Sequence, residues 1–118
     1  MNKIKNNMSV KEITKHYLIC ALWAENIDNK SVSDISKSSL KKAKNDCMEF
    51  IEKAKGLLEK ADISDEMIGH DFFLTRNHHG TGFWDRDEIP KEIREKLTKF
   101  AQTFPEVCVA DGETVDIY

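Results

Sequence analysis

The residues best suited to chemistry are concentrated between positions 69 and 87, GHDFFLTRNHHGTGFWDRD. Three of the four histidines, three of the six phenylalanines and a Gly-x-Gly step lie in this stretch, together with charges of both signs. Three kinds of chemistry are compatible with it. In one, the backbone amides around Gly80, Thr81 and Gly82 and the side chains of Arg76, Asn77, His78 and His79 surround an anion such as a phosphate. The spacing matches neither a Walker loop nor a dinucleotide fingerprint, because no helix follows the glycines directly. In the second, His70, His78 and His79 with Asp71 or Asp85 hold a metal. Adjacent histidines on an extended chain point opposite ways, and no zinc spacing is present, so no metal is expected. In the third, His79 acts as general acid or base with Asp85 as its orienting carboxylate. No serine or cysteine stands in a nucleophile-elbow context, which argues against acyl transfer.

Against these stands a purely structural account. A turn rich in Gly, His and Asn meets a backbone demand for positive φ, Phe72, Phe73, Leu74, Phe83 and Trp84 are core residues, and Arg76 pairs with Asp85 across strands. In this reading residues 70–77 and 82–86 form two strands joined by the turn at 78–81. Alternation puts His70, Phe72, Leu74 and Arg76 on one face and Asp71, Phe73, Thr75 and Asn77 on the other. Both faces are mixed, so neither is a simple core face.

The remaining elements have to position that hairpin. Ser9 and Glu12 have the capping-box arrangement. Ile13, Tyr17, Cys20, Ala21 and Ala24 recur at three- and four-residue steps behind them, so a helix is expected over residues 9–25. Leu22 and Trp23 widen its apolar side, which predicts contact with more than one neighbour. Residues 26–39, with five serines, read as a loop containing a short helical turn. Leu40, Ala43, Cys47, Phe50, Ile51, Ala54, Leu57, Leu58 and Ala61 form one helical stripe, with lysines and glutamates opposite. Ser64, Asp65 and Glu66 cap one short turn leading into the hairpin. Asp87, Glu88 and Pro90 open a further helix whose buried face is Ile93, Leu97, Phe100, Ala101 and Phe104. Residues 106–110 and 114–118 read as strands joined at Asp111 and Gly112. The expected architecture is therefore α+β, about three helices on a small antiparallel sheet in the order α-α-β-β-α-β-β.

Composition narrows the class. A chain of 118 residues makes a single domain over 1–118, long enough to bury roughly two-thirds of its unfolded surface. No apolar run approaches the ~20 residues of a membrane span. The N-terminus MNKIKNNMSV is basic but lacks the apolar core of a secretion signal, so a cytoplasmic protein is expected. The three cysteines read as reduced, buried small hydrophobes. Residues 1–60 carry twelve lysines against eight acids, and residues 61–118 carry six Lys/Arg against thirteen acids, giving +4 and −7. Direct nucleic-acid binding is not expected from this balance, although an acidic half suits a basic protein groove.

The segment at 69–86 resembles a motif of a widespread family of short phage and prophage proteins, Gly-His-Asp-Phe-Trp-Leu-Thr-Arg-Asn-Gly-His-Gly-Ala-Gly-Phe-Trp-Asp-Arg. The likeness extends more loosely to YLICALW at 17–23 and to the C-terminal LTKFAQTFPEVCVADGETVDIY. Phe73 stands where tryptophan is usual, and His78 and Thr81 replace glycine and alanine. A side chain at 78 implies that the turn has no strict need of glycine there. The resemblance implies a phage-encoded accessory protein acting in the host cell, such as an inhibitor of a host defence, and implies no particular activity. The sequence reading is thus a binding protein without a cofactor, its partner a host or phage protein. Arg76, Asn77, His78, His79, Gly80, Gly82, Trp84 and Asp85 form its contact surface. The alternative is a nucleotide- or phosphate-ligand protein or enzyme using the 76–82 tip.

Overall fold

In the computed structural model, which describes residues 8–118, four helices surround one continuous apolar core and a two-stranded antiparallel sheet closes one side. The basic residues 1–7, part of the N-terminal reading above, lie outside the described residues. The α+β class holds, but the described residues form four helices, and residues 70–86 form no hairpin.

Helix α1, Val10–Ala24, is capped by Ser9, whose Oγ accepts from the Glu12 amide. The expected return bond from the Glu12 side chain is replaced by Asp65, which accepts from the Ser9 amide. A 3₁₀ turn, Val32–Asp34, interrupts the following loop. Helix α2, Lys37–Ala61, buries Ala43, Cys47, Phe50, Ile51, Ala54, Leu58 and Ala61 of the predicted stripe, with Leu40 and Leu57 partly buried at its edge. Helix α3, Asp65–Arg76, replaces the first predicted strand. Ser64 caps it by accepting from the Met67 amide, with Asp65 and Glu66 in the first turn. The second predicted strand is a 3₁₀ turn, Phe83–Asp85. Helix α4, Lys91–Gln102, begins after Pro90 and not at Asp87, which instead pairs with Arg94 at 3.6 Å. Strands β1, Val109–Asp111, and β2, Val115–Ile117, pair antiparallel with Ala110 opposite Asp116, as the C-terminal pattern suggests.

Helices α1 and α3 run side by side in the same direction. The Ser9 amide donates to Asp65 at their starts, Tyr17 meets Phe72 and Phe73 midway, and Glu25 meets His79 at their ends. Gly69 makes this approach possible: a Cβ there would lie 2.2 Å from the Ile13 carbonyl oxygen. Phe50 of α2 stacks on Phe72 at 4.3 Å, and Phe104 closes edge-on against both. The C-terminal hairpin docks on the start of α2 through the Ser39 hydroxyl, which donates to the Ile117 carbonyl and accepts from its amide. No helix among the described residues is long and apolar enough to cross a membrane.

Candidate functional site

Four polar residues toward the end of α3, Asp71, Thr75, Arg76 and Asn77, tie the helix to the chain that follows. Asp71, fully buried, accepts two hydrogen bonds from Arg86, at 2.8 and 2.7 Å. Those bonds hold the Arg86 guanidinium above its ordinary pKa. Thr75 Oγ1 accepts from the Phe83 amide, and a Cβ at Gly82 would lie 2.4 Å from the same oxygen. Arg76, only 1% exposed, donates from Nε and Nη2 to the Pro105 carbonyl and from Nη1 to Asp46 and the Tyr17 hydroxyl. Its guanidinium also lies over the Phe72 and Phe104 rings. Asn77 matches both backbone groups of Val107, donating to its carbonyl and accepting from its amide.

These positions correct the sequence reading. Arg76 is a buried tie, and half-buried Asn77 spends its side-chain amide on the Val107 backbone. The cross-strand pair of Arg76 and Asp85 does not form, and Asp85 accepts from the Thr81 hydroxyl at 2.9 Å instead. An anion cradle at 76–82 lacks its guanidinium, since Arg76 spends its donors on Pro105, Asp46 and Tyr17. Neither Gly80 nor Gly82 adopts the left-handed conformation, whereas His78 does, at a φ of 56°. Position 78 therefore carries the left-handed conformation that glycine adopts most easily.

The reason is a helix ending that occurs twice at one end of the molecule. After α3, the His78 amide donates to the Thr75 carbonyl and the His79 amide to the Leu74 carbonyl. After α1, Asn26 is left-handed, its amide donates to Trp23, and the Ile27 amide donates to Leu22. Both are Schellman endings, which satisfy terminal carbonyls by reversing the chain. Because α1 and α3 are parallel, the two reversals lie together. There His79 Nε2 meets Glu25 Oε2 at 3.0 Å, so the carboxylate beside His79 is Glu25 and not Asp85.

Between the two endings lies an open groove of about 470 Å³ lined by Trp23, Ala24, Asn26, Leu74, His79, Gly80 and Thr81. A second groove, about 650 Å³, shares Trp23 and Asn26 with it and is lined on its apolar side by Ile19, Leu22, Ile27 and Val32. Trp23 forms the ridge between them, 66% exposed, with the His70 ring 5.8 Å away and tilted by 32°. Ile19, one turn earlier on the same helix, is 42% exposed. Of the predicted contact residues, His79 and Gly80 line the first groove, Trp84 is half-exposed on the 3₁₀ turn, and His78 and Asp85 face solvent.

Ile19, Trp23 and Glu25 were not among the predicted site residues. The apolar run Leu22-Trp23 predicts packing for both, yet only Leu22 is buried. A signal existed, since Ile19 and Trp23 are four residues apart and lie off the stripe of Ile13, Tyr17, Cys20, Ala21 and Ala24.

The cysteines divide. Cys20 and Cys47 are buried as expected, and burial pushes both thiols up to about 12, while Cys108 is exposed. Among the described residues no group of three or more His, Cys, Asp or Glu is placed to hold a metal ion. In comparison with known proteins, the chain matches no family model, no curated protein and no solved structure.

Proposed function

We propose that this chain is a small phage-encoded accessory protein that acts in the host cell by binding a host or phage protein through the surface around Trp23. One observation carries the binding surface: a tryptophan two-thirds exposed, flanked by grooves on both sides and joined by exposed Ile19. Large apolar side chains left in water beside concave surface are characteristic of recognition sites, and tryptophan is over-represented among residues that dominate binding energy. The motif at 69–86 supports the phage assignment by resemblance. Its residues serve this surface indirectly, because they fix α3 against α1 and so set the two helix endings beside each other.

The test is capture from lysate of the bacterium that carries the gene, comparing the tagged chain with an Ile19→Ser/Trp23→Ala variant of unchanged thermal stability. A protein retained at near-equal stoichiometry by the first and lost by the second is the expected result. Equal retention by both, or no retained protein, defeats the proposal.

A further inference from the structure

We infer that the partner brings an arginine side chain to the corner between the α1 and α3 endings, where it stacks on Trp23 and pairs with Glu25, which lies beside the groove against the lining residue His79. This rests on the protein-binding reading and adds the chemistry of what is bound. Glu25 is placed against the usual electrostatics. It is the C-cap of α1, where the helix dipole is negative and a cation belongs, and the last turn of α1 contains no basic residue. His79 meets only Oε2, and Oε1 has no partner among the described residues.

Among the described residues no lysine or arginine lines the groove between the two endings. Lys30, the nearest on the adjoining loop, pairs with Asp111 at 3.3 Å and donates to the Gly112 carbonyl. Exposed Asp28, which lines the neighbouring groove, makes no ion pair among the described residues. The corner therefore has negative charge in excess of its own cations, and an incoming guanidinium complements it. Trp23 fits the same ligand, since indole is the strongest aromatic partner for a cation and a planar guanidinium stacks on it. A Cβ built on Gly80 would meet nothing within 4 Å and its backbone is not left-handed, so neither packing nor backbone geometry demands glycine there. What its bare backbone does is leave the groove open beside Trp23. The adjoining groove of Ile19, Leu22, Ile27 and Val32 accepts an apolar side chain, so the recognised segment pairs arginine with a nearby leucine-like residue.

The assay uses the full chain carrying Trp84→Phe, which leaves Trp23 as the single tryptophan. Trp23 fluorescence is followed while an acetylated, amidated heptapeptide containing leucine and arginine is added, then the same peptide with citrulline in place of arginine. A saturable change is expected with the arginine peptide. Binding should weaken at least tenfold with citrulline and with Glu25→Gln, and Glu25→Asp should recover part of the loss. Equal binding of the citrulline peptide, or undiminished binding by a folded Glu25→Gln variant, overturns the arginine assignment while leaving the groove as a binding site. No saturable response to either peptide overturns it as well. The lysate capture judges the wider reading independently, because it does not depend on the chemistry of the peptide.

Discussion

Arg76 and Trp23 invert the usual division between inside and outside. The most polar side chain of the central segment is 1% exposed, while the largest apolar side chain of α1 is 66% exposed. Arg76 is tolerated in the core because all its company is suitable: a carboxylate, a hydroxyl, a backbone carbonyl used twice and two aromatic rings. Trp23 has no comparable set of partners beyond the His70 ring. A residue type that suggests chemistry can thus be structural, and one that suggests packing can be the functional candidate. Partners decide, and partners follow from the fold.

Truncating both residues separately tests this contrast at its strongest. Arg76→Ala leaves Asp46, the Tyr17 hydroxyl and the Pro105 carbonyl without their donor. Removing one member of a buried ion pair costs about 3–5 kcal/mol. Asp46 keeps Lys42 at 3.4 Å, which places the expected loss near the lower end of that range, about 10 °C in melting temperature. Trp23→Ala should change stability by no more than about 0.5 kcal/mol, as surface substitutions generally do. Thermal melts of the two variants decide the matter. If Trp23→Ala costs as much as Arg76→Ala, Trp23 is a packing residue and the contrast collapses.

The same contrast explains what the sequence made legible. Helices α1 and α2 and the C-terminal hairpin each keep one wet side, so their periodicity survives in the amino-acid pattern. Helix α3 does not. Ile68, Gly69, Asp71, Phe72, Phe73, Leu74, Thr75 and Arg76 are all buried, so no stripe marks the 3.6-residue period. Its Phe-Phe-Leu-Thr run has high strand propensity, which tertiary packing overrides. Two signals for helix were nevertheless present: the Ser64 cap followed by two acids, and the failure of two-residue alternation to give a clean core face. The inward role of Asp71, Arg76 and Asn77 depends on partners 15 to 59 residues away, which no local pattern encodes. The groove was illegible for a similar reason. It exists because α1 and α3 lie side by side and parallel, an approach that Gly69 permits against Ile13, away from the groove itself.

The thiols repeat the inside–outside contrast within one residue type. Cys20 and Cys47 carry a pKa of about 12 against an ordinary 9.0, chiefly through burial. Between those values the unfolded chain releases protons that the folded chain retains, so stability falls as pH rises. The slope approaches about 1.4 kcal/mol per pH unit for each thiol. Tyr17, whose hydroxyl is also pushed up by burial, acts with the same sign at still higher pH. Denaturant titrations from pH 8 to 11 should show this decline, and a thiol reagent at pH 8 should modify Cys108 alone until the chain unfolds. Modification of all three cysteines in the folded state contradicts the burial on which the contrast depends.

His78 stands on the boundary between the two regions and gives the smallest effect. Its φ of 56° is imposed by the Schellman ending of α3, and its side chain is half-exposed, with Nε2 3.7 Å from Glu106 Oε2. Left-handed backbone costs a non-glycine residue roughly 1 kcal/mol, and an exposed ion pair returns little of that. Glycine removes the cost in the folded state but gains freedom in the unfolded chain, which offsets part of the benefit. His78→Gly should therefore raise stability by about 0.5 kcal/mol, measured by denaturant midpoint at constant slope. It should leave binding at Trp23 unchanged, because the reversal it relaxes already holds His79 against Glu25. A loss of stability would mean that the His78 side chain is itself a tie to the Glu106 loop. The boundary between structural and recognition residues would then lie one position further out than the hydrogen bonds place it.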